Sequence, residues 1–215
     1  MMETRSQVQG YVLAGGKSRR MGEDKALLAF GDQPLGAWVA ERVRQACGKV
    51  AVIGDAAKYA GWGFPMAQDI FADSGPLGGI HAALTHSAAD LNLVVGCDMP
   101  YVSVEFLERL LEIAGEAPGD AVVPVSADYG YEPLCAVYKP SCLGRMEQAL
   151  RAGRRRISEV FAELTLRAVP PAEWQPYDPQ RRLFQNLNTR EDYEQALREM
   201  LGPLEDACYK TNLRG

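Results

Sequence analysis

The chain has 215 residues, of which 47% are hydrophobic and 24% are charged, and its formal net charge is −5. This length and apolar content predict one globular domain with a sizeable core. The acidic balance excludes a broad basic surface for nucleic acid, and no apolar run reaches the roughly 18 residues that a membrane span needs.

The N-terminal segment and the cysteines indicate the cellular compartment. Met1–Gln9 is polar where a secretory signal needs an apolar stretch, so a cytoplasmic protein is predicted. Five cysteines form an odd set without a C-x-x-C pair, which predicts reduced thiols and neither a disulfide framework nor a zinc site.

Short apolar runs alternate with stretches of helical spacing, a pattern that predicts a three-layer, Rossmann-like α/β/α fold with a mostly parallel sheet. The predicted strands are Val8–Leu13, Val50–Ile53, a weak one at Phe64–Ala67, Leu91–Val95, Ala121–Val125, Leu134–Tyr138, Leu164–Val169 and Leu183–Leu187. The predicted helices are Leu35–Ala46, Pro76–Thr85, Ser103–Ala114, Ser141–Arg151 and Thr189–Met200.

Local signals refine this reading. Ser103 can cap its helix, and Thr189 with Asp192 three residues later has capping-box spacing. The loop before Leu134–Tyr138 is too short for a crossover helix, so one strand of that pair should run antiparallel. Residues 202–215 read as an irregular tail.

The loop after the first strand combines glycines with cations. Three glycines and four cations lie within eleven residues, namely Gly15, Gly16, Lys17, Arg19, Arg20, Gly22 and Lys25. Glycines let backbone N–H groups approach a ligand, and the cations neutralise its charge, so the loop predicts a polyphosphate cradle. A solvated basic loop is the alternative.

Two better-known phosphate motifs do not fit this loop. A Walker loop with Lys17 and Ser18 needs a glycine where Tyr11 stands, inside the predicted strand. The dinucleotide fingerprint needs a Gly-x-Gly-x-x-Gly spacing that is absent here.

The run LAGGKSRRMGEDKALL, Leu13–Leu28, resembles the signature loop of the molybdenum-cofactor nucleotidyltransferases, in particular the MobA-type guanylyltransferases. The resemblance spans most of the chain and implies a nucleotidyltransferase fold whose sheet is mostly parallel with one antiparallel strand. It also implies one domain over residues 1–215, with a nucleotide-binding half at about 1–100 and an acceptor-binding half at about 101–201. The loop residues that it implicates in nucleotide or phosphate binding are Leu13, Ala14, Gly15, Gly16, Arg20 and Lys25.

Asp98 is the candidate Mg²⁺ ligand. It follows the apolar run Leu91–Val95, so it should lie at the carboxyl edge of the sheet, where open α/β sheets bind ligands. From spacing alone, a turn or helix-capping role before Pro100 is equally good. The run Gly-Cys-Asp-Met-Pro resembles the family's metal-binding stretch, which favours the metal.

Further nucleotide contacts are implied by the resemblance alone. It assigns them to Asp69 and to the Gly75, Pro76 and Leu77 loop, which without it reads as a helix start with proline in the first turn. Where the family has an asparagine after its second strand, this chain has Ile53-Gly54-Asp55, so that contact is lost, made by the backbone or made by Asp55.

Asn186 and Asn188 are predicted to share one face at the end of the strand Leu183–Leu187. Without a family resemblance, the stronger interpretation is that these asparagines form an ordinary turn before a capped helix. The run Asn-Leu-Asn-Thr resembles a family element in the active site, so both asparagines are included there, on the acceptor side.

Other polar residues carry weaker signals. The arginines 151 and 154–156 follow a helix end and read as a solvated basic face, with contact to the acceptor's phosphate or to the developing pyrophosphate as the alternative. The two histidines, His81 and His86, read as ordinary polar residues, and Cys97 as a small buried hydrophobe.

The resemblance implies transfer of GMP from GTP to molybdopterin or Mo-molybdopterin, with Mg²⁺ as cofactor and Arg20, Lys25 and Asp98 as the catalytic residues. Ala-Gly-Gly in the loop favours GTP over CTP. Proteins of molybdenum-cofactor biosynthesis and molybdoenzyme chaperones are the implied partners. A related transferase using CTP or a sugar phosphate, and a non-catalytic GTP-binding module, are the alternatives.

Overall fold

The computed structural model describes residues 7–15, 23–71, 73–126 and 130–201. The strands in these ranges are Val8–Leu13 (β1), Ala29–Phe30 (β2), Gln33–Pro34 (β3), Val50–Ile53 (β4), Met66–Ala67 (β5), Leu91–Gly96 (β6), Ala121–Ser126 (β7), Gly130–Tyr131 (β8), Cys135–Tyr138 (β9) and Leu166–Val169 (β10). The helices are Leu35–Cys47 (α1), Ala56–Tyr59 (α2), Gly75–Thr85 (α3), Val104–Glu116 (α4), Leu143–Arg151 (α5), Ile157–Phe161 (α6), Pro171–Trp174 (α7) and Arg190–Leu201 (α8).

A mixed sheet forms the centre of the described chain. Its strand order is β10-β7-β9-β6-β1-β4-β5, with β8 paired to β7, while β2 and β3 form a separate hairpin. β9 runs antiparallel to both β6 and β7, and β8 is antiparallel to β7. The remaining strands of the order all run the same way, so their carboxyl ends, and the start of β9, lie on one edge of the sheet.

Helices cover both faces of the sheet, which gives three layers. On one face, Val39 of α1, Phe106 of α4 and Trp174 of α7 belong to one buried cluster. On the other face, α3, α5 and α6 bury Ile80 and Met146 in a second cluster. These apolar faces explain why each helix packs on the sheet, since burying them removes the largest apolar side chains from water.

The predicted architecture is confirmed. β1 and β4 have the predicted bounds, and the five predicted helices are present within a few residues of theirs. The antiparallel member of the predicted pair is β9, which pairs antiparallel with both β6 and β7. The hairpin β2–β3, the strand β8 and the short helices α2, α6 and α7 were not predicted, since segments of two to five residues carry little periodicity.

The predicted strand Leu183–Leu187 is wrong. Its backbone bonds go elsewhere: Gln185 N donates to Arg182 O across a turn, and Leu187 N donates to Asp98 O. Leu183 and Leu187 are buried in different hydrophobic clusters, so the apolar alternation reflects two anchor points of an irregular segment. Among the described residues, no helix combines the length and apolarity that a bilayer crossing needs.

Candidate active site

The candidate residues gather where β1 and β6 end. Leu13, the last residue of β1, pairs with Ile53 of β4 on one side and Gly96 of β6 on the other. Cys97 N donates to Leu13 O at 3.2 Å, so Asp98 follows directly from this junction. The carboxyl ends of parallel strands therefore bring Asp98 beside the start of the glycine-rich loop.

The first part of the loop is held by backbone contacts. Ala14 N donates to Ile53 O at 2.8 Å, and Gly15 has φ +140°, a conformation that side-chain-bearing residues rarely adopt. Leu13 packs against Gly79 of α3, where a Cβ would come within 2.8 Å of its Cδ1. Gly16 and Arg20 lie outside the described residues.

Asp24 sets the position of Lys25. Its Oδ1 accepts a hydrogen bond from Ala26 N and caps the 3₁₀ turn that begins at Lys25. Its Oδ2 accepts from the buried hydroxyl of Tyr59 at 2.6 Å and lies 3.5 Å from Lys58 Nζ. Burial and the neighbouring Asp24 carboxylate raise the pKa of Tyr59, so this hydroxyl keeps its proton and remains a donor.

Lys25, Asp98 and Asn188 converge. Lys25 Nζ donates to Asn188 Oδ1 at 3.0 Å and lies 3.8 Å from Asp98 Oδ2. The Leu187 N–H also binds Asp98 O, so the C-terminal segment is tied to the residue after β6 by its backbone. Lys25 thus contacts two other residues that the sequence predicted for the site, Asp98 and Asn188.

Asn188 is held by the cap of α8. Asp192 Oδ2 accepts from Asn188 N at 2.9 Å and from Thr189 N at 2.8 Å, while Thr189 Oγ1 accepts from Asp192 N. The predicted capping box is therefore confirmed. Its carboxylate fixes the backbone that carries the Asn188 amide.

Asp98 supplies the kind of oxygen that Mg²⁺ prefers. Its side chain is 27% exposed, so part of the carboxylate remains accessible. Burial raises the pKa of Asp98, and the Lys25 ammonium opposes that rise. Because Mg²⁺ keeps several waters and often uses one or two protein carboxylates plus substrate phosphates, this single carboxylate fits such an ion.

The residues implicated in nucleotide contact lie after β5 and at the start of α3. Asp69, Gly75 and Pro76 are exposed, and Gly75 has φ +60°. Leu77 is fully buried in the α3 face of the core, so its side chain is a core residue and is not open to a ligand. Asp69 follows β5 at the far edge of the sheet, away from Asn188.

The two asparagines do not share a strand face, since they lie in an irregular segment; that prediction is wrong. Asn188 is exposed and binds Lys25, whereas Asn186 Oδ1 is buried with no hydrogen-bond partner in the described part of the chain. Asp55, at the position that departs from the family, caps α2 by accepting from Ala57 N at 2.9 Å.

The arginines after α5 have different surroundings. Arg151 and Arg154 form exposed ion pairs with Glu147 and Glu163, as a solvated face would. Arg155 Nη1 instead donates to Ser74 Oγ at 2.7 Å, directly before α3. This arginine therefore reaches the loop of Gly75 and Pro76.

Three residues in or near the candidate site were not predicted from the sequence: Asp24, Tyr59 and Glu132. Asp24 precedes Lys25 and has the residue type of a cap, which could have been read from the sequence. Tyr59 carries no local signal. Glu132 is 7% exposed, accepts from Ser126 Oγ at 2.6 Å and stands two residues before Leu134, whose carbonyl accepts from Gly96 N.

The residues read as non-catalytic are enclosed. His81 is buried on α3 with its ring edge-on to Phe71 at 5.0 Å between centroids, and burial lowers its pKa. Burial raises the pKa of the Cys97 thiol to about 12, so the thiol is protonated at neutral pH. Neither group is a ready nucleophile or base.

Comparison with known proteins adds to this geometry. Residues 10–168 match the family model described as the MobA-like NTP transferase domain. The chain is 34% identical to the molybdenum cofactor guanylyltransferase of Desulfosudis oleivorans, over 88% of this chain and 94% of that protein. It is 31% identical to the protein of the same name from Syntrophotalea carbinolica, over 87% and 90%.

A solved structure is also similar. The molybdopterin-guanine dinucleotide biosynthesis protein A from Archaeoglobus fulgidus superposes with a TM-score of 0.78 at 29% identity. The match covers 89% of this chain and 98% of that one. The likeness thus extends over nearly the whole described fold.

Proposed function

Because the chain belongs to the MobA-like NTP transferase family, we propose that it transfers GMP from GTP to molybdopterin or Mo-molybdopterin and releases pyrophosphate. The observation that carries the proposal is the convergence of Lys25, Asp98 and Asn188 at the carboxyl edge of the sheet. The names of its relatives supply the nucleotide and the acceptor.

The reaction joins two phosphates. An oxygen of the acceptor's phosphate attacks the α-phosphorus of GTP, the bond from that phosphorus to the bridging oxygen breaks, and pyrophosphate leaves with the electron pair. The attacking phosphate is already ionised at neutral pH, so no strong general base is required. The protein's contribution is to align two anions and to neutralise the charge that builds on the leaving group.

Lys25 is the described cation best placed for this neutralisation. Its ammonium is held between Asn188 and Asp98, so it needs little reorganisation when a phosphate arrives. Arg20, which lies outside the described residues, is proposed to share this role. Mg²⁺ on Asp98 would supply Lewis-acid stabilisation of phosphate oxygens.

We place the nucleotide and the acceptor on opposite sides of the Lys25 and Asp98 cluster, within one domain. The nucleotide takes the side of β1, β4 and β5, with Leu13, Ala14, Gly15, Gly16, Asp69 and the Gly75 to Leu77 loop as its contacts. The acceptor takes the side of β9 and β7, with Asn186 and Asn188. Arg155, bound to Ser74, is proposed to meet a substrate phosphate.

The product has to be handed to other proteins, so carriers and chaperones of the molybdenum cofactor are the proposed partners. GTP is abundant in the cytoplasm, and this is the proposed location. Neither a nucleic acid nor a membrane has a role in this reaction.

The test is transfer itself. The protein is incubated with α-³²P-labelled GTP, Mg²⁺ and molybdopterin, and both labelled product and pyrophosphate are measured. The expected result is equimolar formation of the two, lost with EDTA and in Asp98→Ala while GTP still binds.

Two other results would redirect the proposal. Transfer from CTP in preference to GTP, or to a sugar phosphate, would identify a related transferase. GTP binding without any turnover on molybdopterin would identify a binding module and would refute the proposed function.

A further inference from the structure

A cavity lined by neither Lys25 nor Asp98 lies beside the end of β7, on the proposed acceptor side of the sheet. It has a volume of about 580 Å³, and Ser126, Trp174 and Phe184 are among its lining residues. Trp174 Nε1 donates to Val125 O at 3.0 Å, and the rings of Trp174 and Phe184 meet edge to face at 4.9 Å between centroids. The cavity therefore has one aromatic wall fixed to the strand.

The polar lining has spare hydrogen-bonding capacity. Gln175, Arg181 and Gln185 line the cavity, and within the described ranges their side chains have no hydrogen-bond or ion-pair partner. Asp178 Oδ1 accepts from Arg182 N at 2.7 Å, and its other carboxylate oxygen has no partner there. The cavity thus offers one carboxylate acceptor, one guanidinium and two amides.

Arg181 is held in a costly backbone conformation. Its φ is +58°, and among the described non-glycine residues only Asp73, in the loop before α3, shares this sign. A turn holds it, since Arg181 N donates to Asp178 O at 3.1 Å. Left-handed conformations of non-glycine residues cluster at ligand-binding sites, where the surrounding structure compensates for the strain.

The cavity lies beside the end of β7, and the proposed reaction centre lies at the end of β6. β7 is two strand spacings from β6, which corresponds to about 10 Å at the sheet edge. The same chain segment connects the two places, because Gln185 lines the cavity and Leu187, two residues later, binds Asp98 O. Asp69, which follows β5, lies on the opposite side of β6.

We propose that this cavity binds the pterin ring of the acceptor through the ring's 2-amino-4-oxopyrimidine edge. The inference rests on the proposed function and names the acceptor's binding site. A pterin presents a 2-amino group and N3–H as donors next to an O4 acceptor. The free oxygen of Asp178 accepts from the donors, and Arg181 donates to the acceptor side. The spacing of about 10 Å between the ends of β7 and β6 lets the phosphate of the same molecule reach Lys25.

Guanine carries the same amino-oxo edge, so the experiment must separate the pterin from GTP. Direct binding is measured by fluorescence titration with three probes: pterin, lumazine, which has a 2-oxo group in place of the 2-amino group, and the GTP analogue with an α,β-methylene bridge. The wild-type protein is expected to bind pterin about tenfold more tightly than lumazine, since a charge-assisted bond to the amino group is lost with lumazine.

Two variants test the assigned contacts. Asp178→Asn keeps the oxygen that binds Arg182 N and replaces the free oxygen by an amide donor, so the preference should move from pterin towards lumazine. Arg181→Gly should weaken binding of both pteridines about tenfold. Arg109→Ala on α4, which removes an exposed guanidinium paired with Glu112, is the matched control and should change nothing.

Steady-state kinetics keep this inference distinct from the proposed function. Both variants should raise the KM for molybdopterin about tenfold and leave the KM for GTP within about twofold. If the two variants bind the GTP analogue more weakly than the wild type does and bind pterin equally well, the cavity is a guanine site and the inference is overturned. Absence of pterin binding by the wild type, or equal binding by all variants, would also overturn it, even if the protein transfers GMP.

Discussion

Lys25 Nζ lies 3.0 Å from Asn188 Oδ1, although 163 positions separate the two residues in the sequence. The same ammonium lies 3.8 Å from Asp98 Oδ2, so three distant segments define its position. The cluster is therefore complete only when the segment before α8 is docked on the sheet edge. Substrate alignment depends on this docking as much as on the glycine-rich loop.

Lys25→Ala and Asn188→Ala should both slow GMP transfer. Loss of the ammonium removes a preorganised positive charge, and kcat should fall about 10²- to 10³-fold. Asn188→Ala leaves the lysine less well aimed, and a loss of about tenfold is expected. Pyrophosphate release from GTP and molybdopterin measures both effects, and Lys49→Ala, at an exposed lysine, is the control.

The double variant tests whether the two residues act together. Contacting residues that serve one function are not additive, so the double variant should lose little more than Lys25→Ala alone. Multiplication of the two single losses would mean that Asn188 contributes mainly through its own contact with the acceptor, and not through the lysine.

Tyr59→Phe should loosen the turn that carries Lys25. The variant loses the 2.6 Å hydrogen bond to Asp24, a bond to a charged acceptor of the kind that contributes about 1.5–3 kcal/mol. GMP transfer should fall about tenfold, beyond what any loss of folded protein explains. Tyr11→Phe, at another buried tyrosine whose hydroxyl faces Ser87, is the control and should cost stability without slowing turnover.

Local signals predicted much of this fold from the sequence. The bounds of β1 follow from an apolar run that ends at a glycine-rich loop, and the start of α8 follows from Thr189 and Asp192, which bind each other within one turn. The antiparallel pairing of β7 with β9 followed from a loop too short for a crossover. Each of these features depends on residues close together in the sequence.

Features that depend on distant contacts could not be predicted in this way. The hydroxyl of Tyr59 reaches Asp24 across 35 positions, and no spacing rule encodes that contact. Leu183–Leu187 alternates as a strand does, yet its buried leucines belong to separate clusters, a difference that only tertiary structure decides. Asn186 and Asn188 consequently lie in different environments.

Gly54→Ala should disturb the start of the glycine-rich loop. A Cβ at this position would lie 2.3 Å from Ala14 O and 2.9 Å from Tyr59 Cε2, so backbone next to Gly15 must shift. The free energy of unfolding should fall by about 1–3 kcal/mol, as in other overpacked cores, and GTP affinity should fall with it. Gly61→Ala, where a Cβ meets nothing within 4 Å, is the matched control for denaturant unfolding and nucleotide titration. Equal free energies of unfolding and equal GTP affinities for the two variants would contradict the close approach of Gly54 to Ala14 O.

Glu132→Gln should change how stability depends on pH. Burial raises the pKa of Glu132 in the folded protein, while the hydrogen bond from Ser126 partly opposes the rise. A carboxyl whose folded pKa exceeds its unfolded value favours folding while it is protonated, and that contribution is lost as pH rises through the folded pKa. The neutral glutamine keeps an oxygen for Ser126 and avoids this loss.

The Tm of Glu132→Gln should therefore differ from that of the wild type only above the acidic pH range. At about pH 4, near the unfolded pKa of a glutamate, the variant and the wild type should unfold at similar temperatures. At pH 7 to 8 the variant should have the higher Tm, because the wild type must keep a charge in a site that is only 7% exposed. Glu108→Gln, at an exposed position on α4, should leave the Tm unchanged at both pH values. A lower Tm for Glu132→Gln at pH 8 would mean that the buried charge is stabilised by its surroundings, against the balance of burial and hydrogen bonding described for this site.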